Sequence, residues 1–255
     1  TTRRRRRAEL TYTLTQGEPT RIESLRYEFR DSSLRPVILA DTAHSELTCG
    51  SVLDITLLDA ERNRISRDLN NKGYFDFTVN NISYEVDTIG HPYRADVTMI
   101  VQPVLKGYNE RGASLWEDNA IYRIKNINVY PTYDPMLRST SGFKAEAKID
   151  TTYYYGLNII RDINTTPQLR NAVLRRTIDI YPNYIYNAEQ IAHTTNELMS
   201  LGFFRSTKVN FRRLPSSNNY VTFMQADTSN EEPLVNTREE YLDCDIYCTP
   251  ALKQS

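Results

Sequence analysis

The stretch Leu69-Asn70-Asn71-Lys72-Gly73-Tyr74-Phe75 recurs further along the chain as Leu198-Met199-Ser200-Leu201-Gly202-Phe203-Phe204. Both copies close a segment with apolar residues at helical spacing, and both lead into alternating residues. A glycine at that place supplies the left-handed residue on which helices commonly end. Upstream, Arg21-Ile22-Glu23-Ser24-Leu25-Arg26-Tyr27 is echoed by Arg123-Ile124-Lys125-Asn126-Ile127-Asn128-Val129. One unit present twice accounts for both echoes. The echoes lie further apart in the second copy, which therefore carries an insertion.

Working outward through the first copy, Leu25, Tyr27 and Phe29 alternate as in a strand with one buried face, with Ile22 ahead of them. Ser32 and Ser33 offer an N-cap for a helix over 34–44, with Pro36 in its first turn. A turn at Cys49-Gly50-Ser51 precedes a second helix over 56–71, where Leu58, Ile65 and Leu69 share a face and Asp59 sits at the capping-box position. Phe75, Phe77 and Val79 then alternate as a strand over 75–86, and Val97, Met99 and Val101 as another over 95–101. The order is β-α-α-β-β. The second copy repeats it: a strand over 121–130, and an insertion over about 134–161 in which 142–149 and 151–155 form a hairpin. A helix follows with Pro167 at its first position after Thr165 or Thr166, and another from Asn187, with Gln190 three residues on. A strand over 203–211, a polar loop over 216–232 and a strand over 241–248 complete it.

The expected fold class is α+β: tandem β-α-α-β-β modules, each a three-stranded mixed sheet covered by two helices. The expected domains are residues 18–105 and 121–255, joined by a linker over 106–120 that carries two glycines and scattered charge. Residues 1–17, with alternation over 9–14, read as the last strand of a preceding unit.

Composition sets outer limits. The 255 residues are 40% hydrophobic and 25% charged with mean hydropathy −0.56, which suits small folded modules with much surface. No apolar run approaches the ~20 residues of a membrane helix. With 31 Lys+Arg against 32 Asp+Glu, the net charge of −1 gives no reason to expect nucleic acid as a partner. The run Arg3 to Arg7 is the exception, readable as an anion-binding arm or as a charged terminus leading into a strand. Cys244 and Cys248 lie ~13 Å apart on one strand face, too far for a disulfide. Cys49 would pair with either only if the fold joined the two halves, and buried small hydrophobes are the plainer reading.

Nothing assembles into catalytic chemistry. His44, His91 and His193 sit in three local contexts without ligand spacing. Asp59 and Glu61 lie on a charged helix, where a solvated face is expected. Gly107 to Gly112 is no phosphate loop, because no G-x-x-x-x-G-K-[ST] pattern occurs. The expectation is a non-enzyme without cofactor or metal. The eighteen tyrosines, with Tyr153, Tyr154, Tyr155, Tyr181, Tyr184 and Tyr186 clustered, read equally as interface or as cover for shallow cores.

The segment Leu57-Leu58-Asp59-Ala60-Glu61-Arg62-Asn63-Arg64-Ile65, continuing to Leu69 and Gly73-Tyr74-Phe75-Asp76-Phe77, resembles the second helix and following strand of a POTRA domain, as in BamA/TamA-type proteins of the Omp85 superfamily. The stretch 196–204 resembles the same element in a next domain, and 242–250 the POTRA strand that precedes an outer-membrane barrel. The resemblance implies a periplasmic portion of a Gram-negative outer-membrane protein assembly or translocation factor. Its partners would be unfolded outer-membrane proteins, periplasmic accessory subunits and a barrel C-terminal to this chain. Clients would be held by strand addition to open sheet edges, which reads little sequence. The edge residues so implied are Phe75, Phe77 and Val79 in one module and Arg205, Thr207, Val209 and Phe211 in the other. A two-partner secretion translocator, or a nucleic-acid-binding module using Arg3 to Arg7, are the alternative readings.

Overall fold

The computed structural model describes residues 11–12, 17–90, 92–134, 149–163, 169–215, 219–222 and 236–251. The run Arg3 to Arg7, most of the opening strand, His91, the first half of the expected insertion hairpin, the caps at Thr165 or Thr166 with Pro167, and most of the polar loop lie outside them.

The first sheet is three-stranded and mixed. Strand β1 (Arg21–Phe29) runs parallel to β3 (Arg94–Val101), and β2 (Ile82–Asp87) pairs antiparallel with β3, giving the order β1-β3-β2. A register shift between Ile22 and Ser24 moves β1 by one pleat. That shift is why buried Ile22 serves the same core as Leu25, Tyr27 and Phe29 despite the odd spacing.

Asp31, not Ser32 or Ser33, caps the first helical segment, its Oδ1 accepting from the Ser33 backbone N–H at 3.0 Å. The expected helix over 34–44 is broken into a 3-10 turn at Ser32–Leu34, the short helix α1 (Arg35–Leu39) and a second 3-10 turn at Thr42–His44. Helix α2 (Ile55–Asn71) is capped by Asp54, which accepts from the Thr56 N–H at 2.9 Å, so Asp59 is no capping residue. Leu34, Ile38, Ile65 and Leu69 pack on Val97, Met99 and Val101.

Glu61 corrects the solvated-face reading. It is buried, receiving Arg64 Nε at 2.9 Å, Ser45 Oγ at 3.0 Å and the Glu46 N–H at 2.8 Å, and Arg64 reaches on to Asp41. Burial alone would raise this carboxyl, but the hydrogen bonds outweigh it and hold the pKa below the usual value. The pair fastens the 41–47 segment to α2.

Residues expected to form a linker fold instead into a two-stranded hairpin, β4 (Val104–Tyr108) with β5 (Ser114–Glu117). The chain then enters β6 (Ile121–Tyr130), where successive residues divide between two cores: Ile121 packs into the first and Tyr122 into the second.

The second sheet departs from three strands. Strand β11 (Asn236–Pro250) is parallel to β6 on one side; on the other it pairs in succession with β10 (Asn219–Thr222) and β9 (Phe204–Arg213), both antiparallel. A hairpin, β7 (Ile149–Tyr154) with β8 (Leu157–Asp162), adds beside β6 and makes the sheet six-stranded. Thr151 to Tyr154 thus pair forward across the Tyr155-Gly156 turn, where the sequence suggested pairing backward. Helices α3 (Asn171–Thr177) and α4 (Ala188–Ser200) cover one face, and Asn187 caps α4 through the Gln190 N–H at 2.9 Å as its spacing predicts. Leu174, Ile178 and Leu198 close over Ile127, Val129, Cys244, Ile246 and Cys248. Cys244 and Cys248 are free and buried, their thiols pushed up by desolvation, whereas Cys49 is free and exposed.

Candidate partner-binding edges and the joint between the units

Phe75, Phe77 and Val79 form no edge strand. Phe77 is buried in the first core, and Val79 begins a 3-10 turn ahead of β2. Phe75 points into the second unit, its ring 5.5 Å from Tyr122, 5.1 Å from Tyr186 and 5.4 Å from Phe211, all edge-on. Edge-to-face rings at such spacing gain beyond area burial alone. The period-two pattern arises because alternate residues serve two different cores.

Asp76 sits beside this aromatic plug with its side chain almost fully buried. It accepts from Lys106 Nζ of β4 at 2.6 Å, from Tyr122 Oη of β6 at 2.6 Å, and from Arg213 of β9. Burial pushes the carboxyl up, but those three donors together outweigh it and hold its pKa below the usual carboxylate value. Gly73 lies against the same joint: its carbonyl accepts the Tyr122 N–H at 2.9 Å. Further along, Asn71 Oδ1 accepts the Glu189 N–H at 3.0 Å, and the carbonyl of Asn71 accepts from Asn187 Nδ2 at 3.1 Å. Asp31, already a helix cap, also accepts from the Asn119 N–H at 2.7 Å and from its Nδ2 at 2.8 Å. Glu117 of the hairpin meets Arg238 of β11 at 2.5 Å.

Arg205, Thr207, Val209 and Phe211 do lie on one strand, β9. It pairs with β11 alone among the described residues, so one flank is an open edge. Thr207, Val209 and Phe211 stand opposite Cys248, Ile246 and Cys244 on the helix-covered face, and Val209 and Phe211 pack against the core. Lys208, Asn210 and Arg212 point to the other face. There Asp243 accepts from Arg212 at 2.6 Å and Asn126 at 2.7 Å, and Asp245 from Asn128 at 2.7 Å. Such a side-chain ladder ties β9, β11 and β6 across the uncovered face.

The remaining edges differ. β1 is partly closed by backbone bonds from the Ile22 N–H to Ser51 and from the Gly50 N–H to Ile22, at 2.9 and 2.7 Å. β2 is six residues long, and β7 carries exposed Tyr153 near its turn. The tyrosine cluster divides: Tyr154 and Tyr186 pack on the core, while Tyr153, Tyr155, Tyr181 and Tyr184 are exposed. Sequence reasoning missed Asp76, Lys106 and Arg213, since no local pattern joins residues so far apart in the chain. No group of three His, Cys, Asp or Glu that could hold a metal occurs among the described residues.

Residues 20–103 match the model of the POTRA family, described as a surface antigen variable number repeat. The matched span coincides with the β1-β3-β2 sheet and its helices. The first unit is a POTRA domain. Among solved structures, BamA POTRA3-5 of Haemophilus influenzae is 10% identical over 90% of this chain, with TM-score 0.48. BamA of Haemophilus ducreyi lacking POTRA domains 1–3 is 11% identical over 91%, with TM-score 0.49. POTRA1-3 of the periplasmic domain of Omp85 from Anabaena is 10% identical over 93%, with TM-score 0.28. The chain spans 61% of the first of these structures, 29% of the second and 98% of the third. No curated protein matches the chain.

Proposed function

We propose that this chain is a periplasmic partner-binding arm of an outer-membrane protein assembly or translocation factor of the Omp85 kind. It is non-catalytic and holds extended segments of unfolded outer-membrane proteins, or of accessory subunits, by strand addition at β9. The observation that carries this reading is the edge itself. β9 is ten residues long, is paired on one side only among the described residues, and is anchored to the core by Val209 and Phe211. A long strand with open N–H and C=O groups is a template for another chain, and one with a fixed inner face offers a defined register. Phe75, Phe77 and Val79 offer no such edge, because Phe75 and Phe77 pack into the two cores and Val79 begins a 3-10 turn.

A photo-crosslinking residue placed at Asn210 of the whole protein in cells tests the reading. Adducts with unassembled outer-membrane proteins or accessory subunits are expected, and far fewer from Glu85 on β2. Adducts formed only within the protein's own chain would refute capture at β9.

A further inference from the structure

The open flank of β9 carries charge of one sign. Its sequence, Phe204-Arg205-Ser206-Thr207-Lys208-Val209-Asn210-Phe211-Arg212-Arg213, contains four basic residues and no acidic one. Arg212 and Arg213 are engaged by Asp243 and Asp76, yet their side chains remain 65% and 59% exposed. Arg205 and Lys208 are exposed and have no ion-pair partner among the described residues. The other edges do not share this. β1 alternates sign and answers it with Arg94–Glu23 at 2.9 Å and Arg30–Glu28 at 3.2 Å. β2 presents Glu85 and Asp87, and β7 has Asp150 as its one charged residue.

We infer that the partner segment taken by β9 is an extended acidic one, with carboxylates at every second position and apolar or β-branched residues between them. The inference rests on the strand-addition reading above and adds the partner's chemistry. An added strand follows the pleat of β9 with period two. Its side chains on the uncovered face come level with Lys208 and Arg212, where carboxylates are favoured and further cations repelled. Those on the opposite face come level with Val209 and Phe211, beside α4, where apolar groups are favoured. Basic residues on an edge also discourage sticking between copies of the chain, since like charges oppose. The same field thus rejects a second β9 and admits an acidic strand.

The test uses the whole 255-residue chain, isotopically labelled, with three acetylated ten-residue peptides in which valine alternates with glutamate, glutamine or lysine. Amide shifts along β9 report binding. The glutamate peptide is expected to bind about fivefold more tightly than the glutamine peptide, from two exposed cross-strand pairs. That preference is expected to vanish in ~0.5 M NaCl, where exposed charges are screened within a few ångströms. The variant Lys208→Glu should abolish the preference for the glutamate peptide, and Lys208→Gln should reduce it to about twofold, while leaving the fold's spectrum intact. Equal binding of all three peptides at β9 would overturn the acidic partner and leave strand addition standing. No β9 shifts with any peptide would overturn both. Stronger β9 shifts with vesicles containing anionic lipid than with the glutamate peptide would overturn it in favour of a membrane surface.

Discussion

Gly73 and Gly202 occupy the same place in the repeat, yet the two positions carry different loads. Both adopt positive φ, at 101° and 70°, so any side chain is strained at either. At Gly73 an added Cβ would also lie 2.5 Å from Ile185 Cγ2 and 3.0 Å from Ile121 Cγ2, whereas at Gly202 it would meet nothing within 4 Å. Gly202→Ala is therefore expected to cost about 1 kcal/mol, the left-handed penalty alone. Gly73→Ala is expected to cost at least about 3 kcal/mol, because the joint must open as well. Urea unfolding of the two variants checks this, and equal losses would deny that Gly73 is a packing position. The helix-ending role of both glycines was legible in the sequence. The joint role was not, because Ile121 and Ile185 reach Gly73 from distant parts of the chain. Glu61 shows the same limit: its neighbours on the helix predict solvent, and the buried state comes from a loop that folds back to meet it.

At the scale of elements, periodicity read well wherever a strand or helix serves a single core. Helices α2 and α4, strands β3, β6 and β11, and the cap at Asn187 all follow from spacing. Alternation misled at Phe75, Phe77 and Val79, where Phe75 serves one core, Phe77 the other, and Val79 already begins a 3-10 turn. It failed again in the second sheet, where β8, β7 and β10 are added by segments that carry weak alternation, and at the β4–β5 hairpin, whose glycines and charges read as a linker. Phe75 offers a direct test of the plug. Phe75→Ala removes three edge-on ring contacts and is expected to destabilise the chain by about 3 kcal/mol. It should also expose Tyr122 and Tyr186, seen as a change in near-ultraviolet circular dichroism. A loss below about 0.5 kcal/mol would show that the ring is not held in the second unit.

For the whole molecule, the joint and the open edge belong together. Arg213 ends β9 and grips Asp76 in the POTRA domain, so the strand proposed to receive a partner is braced by the neighbouring unit. The charge of that brace depends on pH with a definite sign. Asp76 has a depressed pKa in the folded chain, so its stabilisation is full above the unfolded value of about 4 and is lost as pH falls through the folded one. At the alkaline end, burial pushes the Tyr74 phenol up to about 12 and that of Tyr122 up as well. Their neutral forms stabilise the fold below about pH 10, and that contribution is lost as pH rises further. Unfolding free energy measured against pH is expected to fall below about pH 4, with a smaller fall in Asp76→Asn; an identical acid limb in the variant would deny Asp76 this role.

Capture of partner strands by β9 can be read out by amide hydrogen exchange of the whole chain with and without an unfolded outer-membrane protein held soluble. New protection is expected along 205–212, with β2 and β7 unchanged. Protection appearing only at β2 or β7, or nowhere, would contradict it.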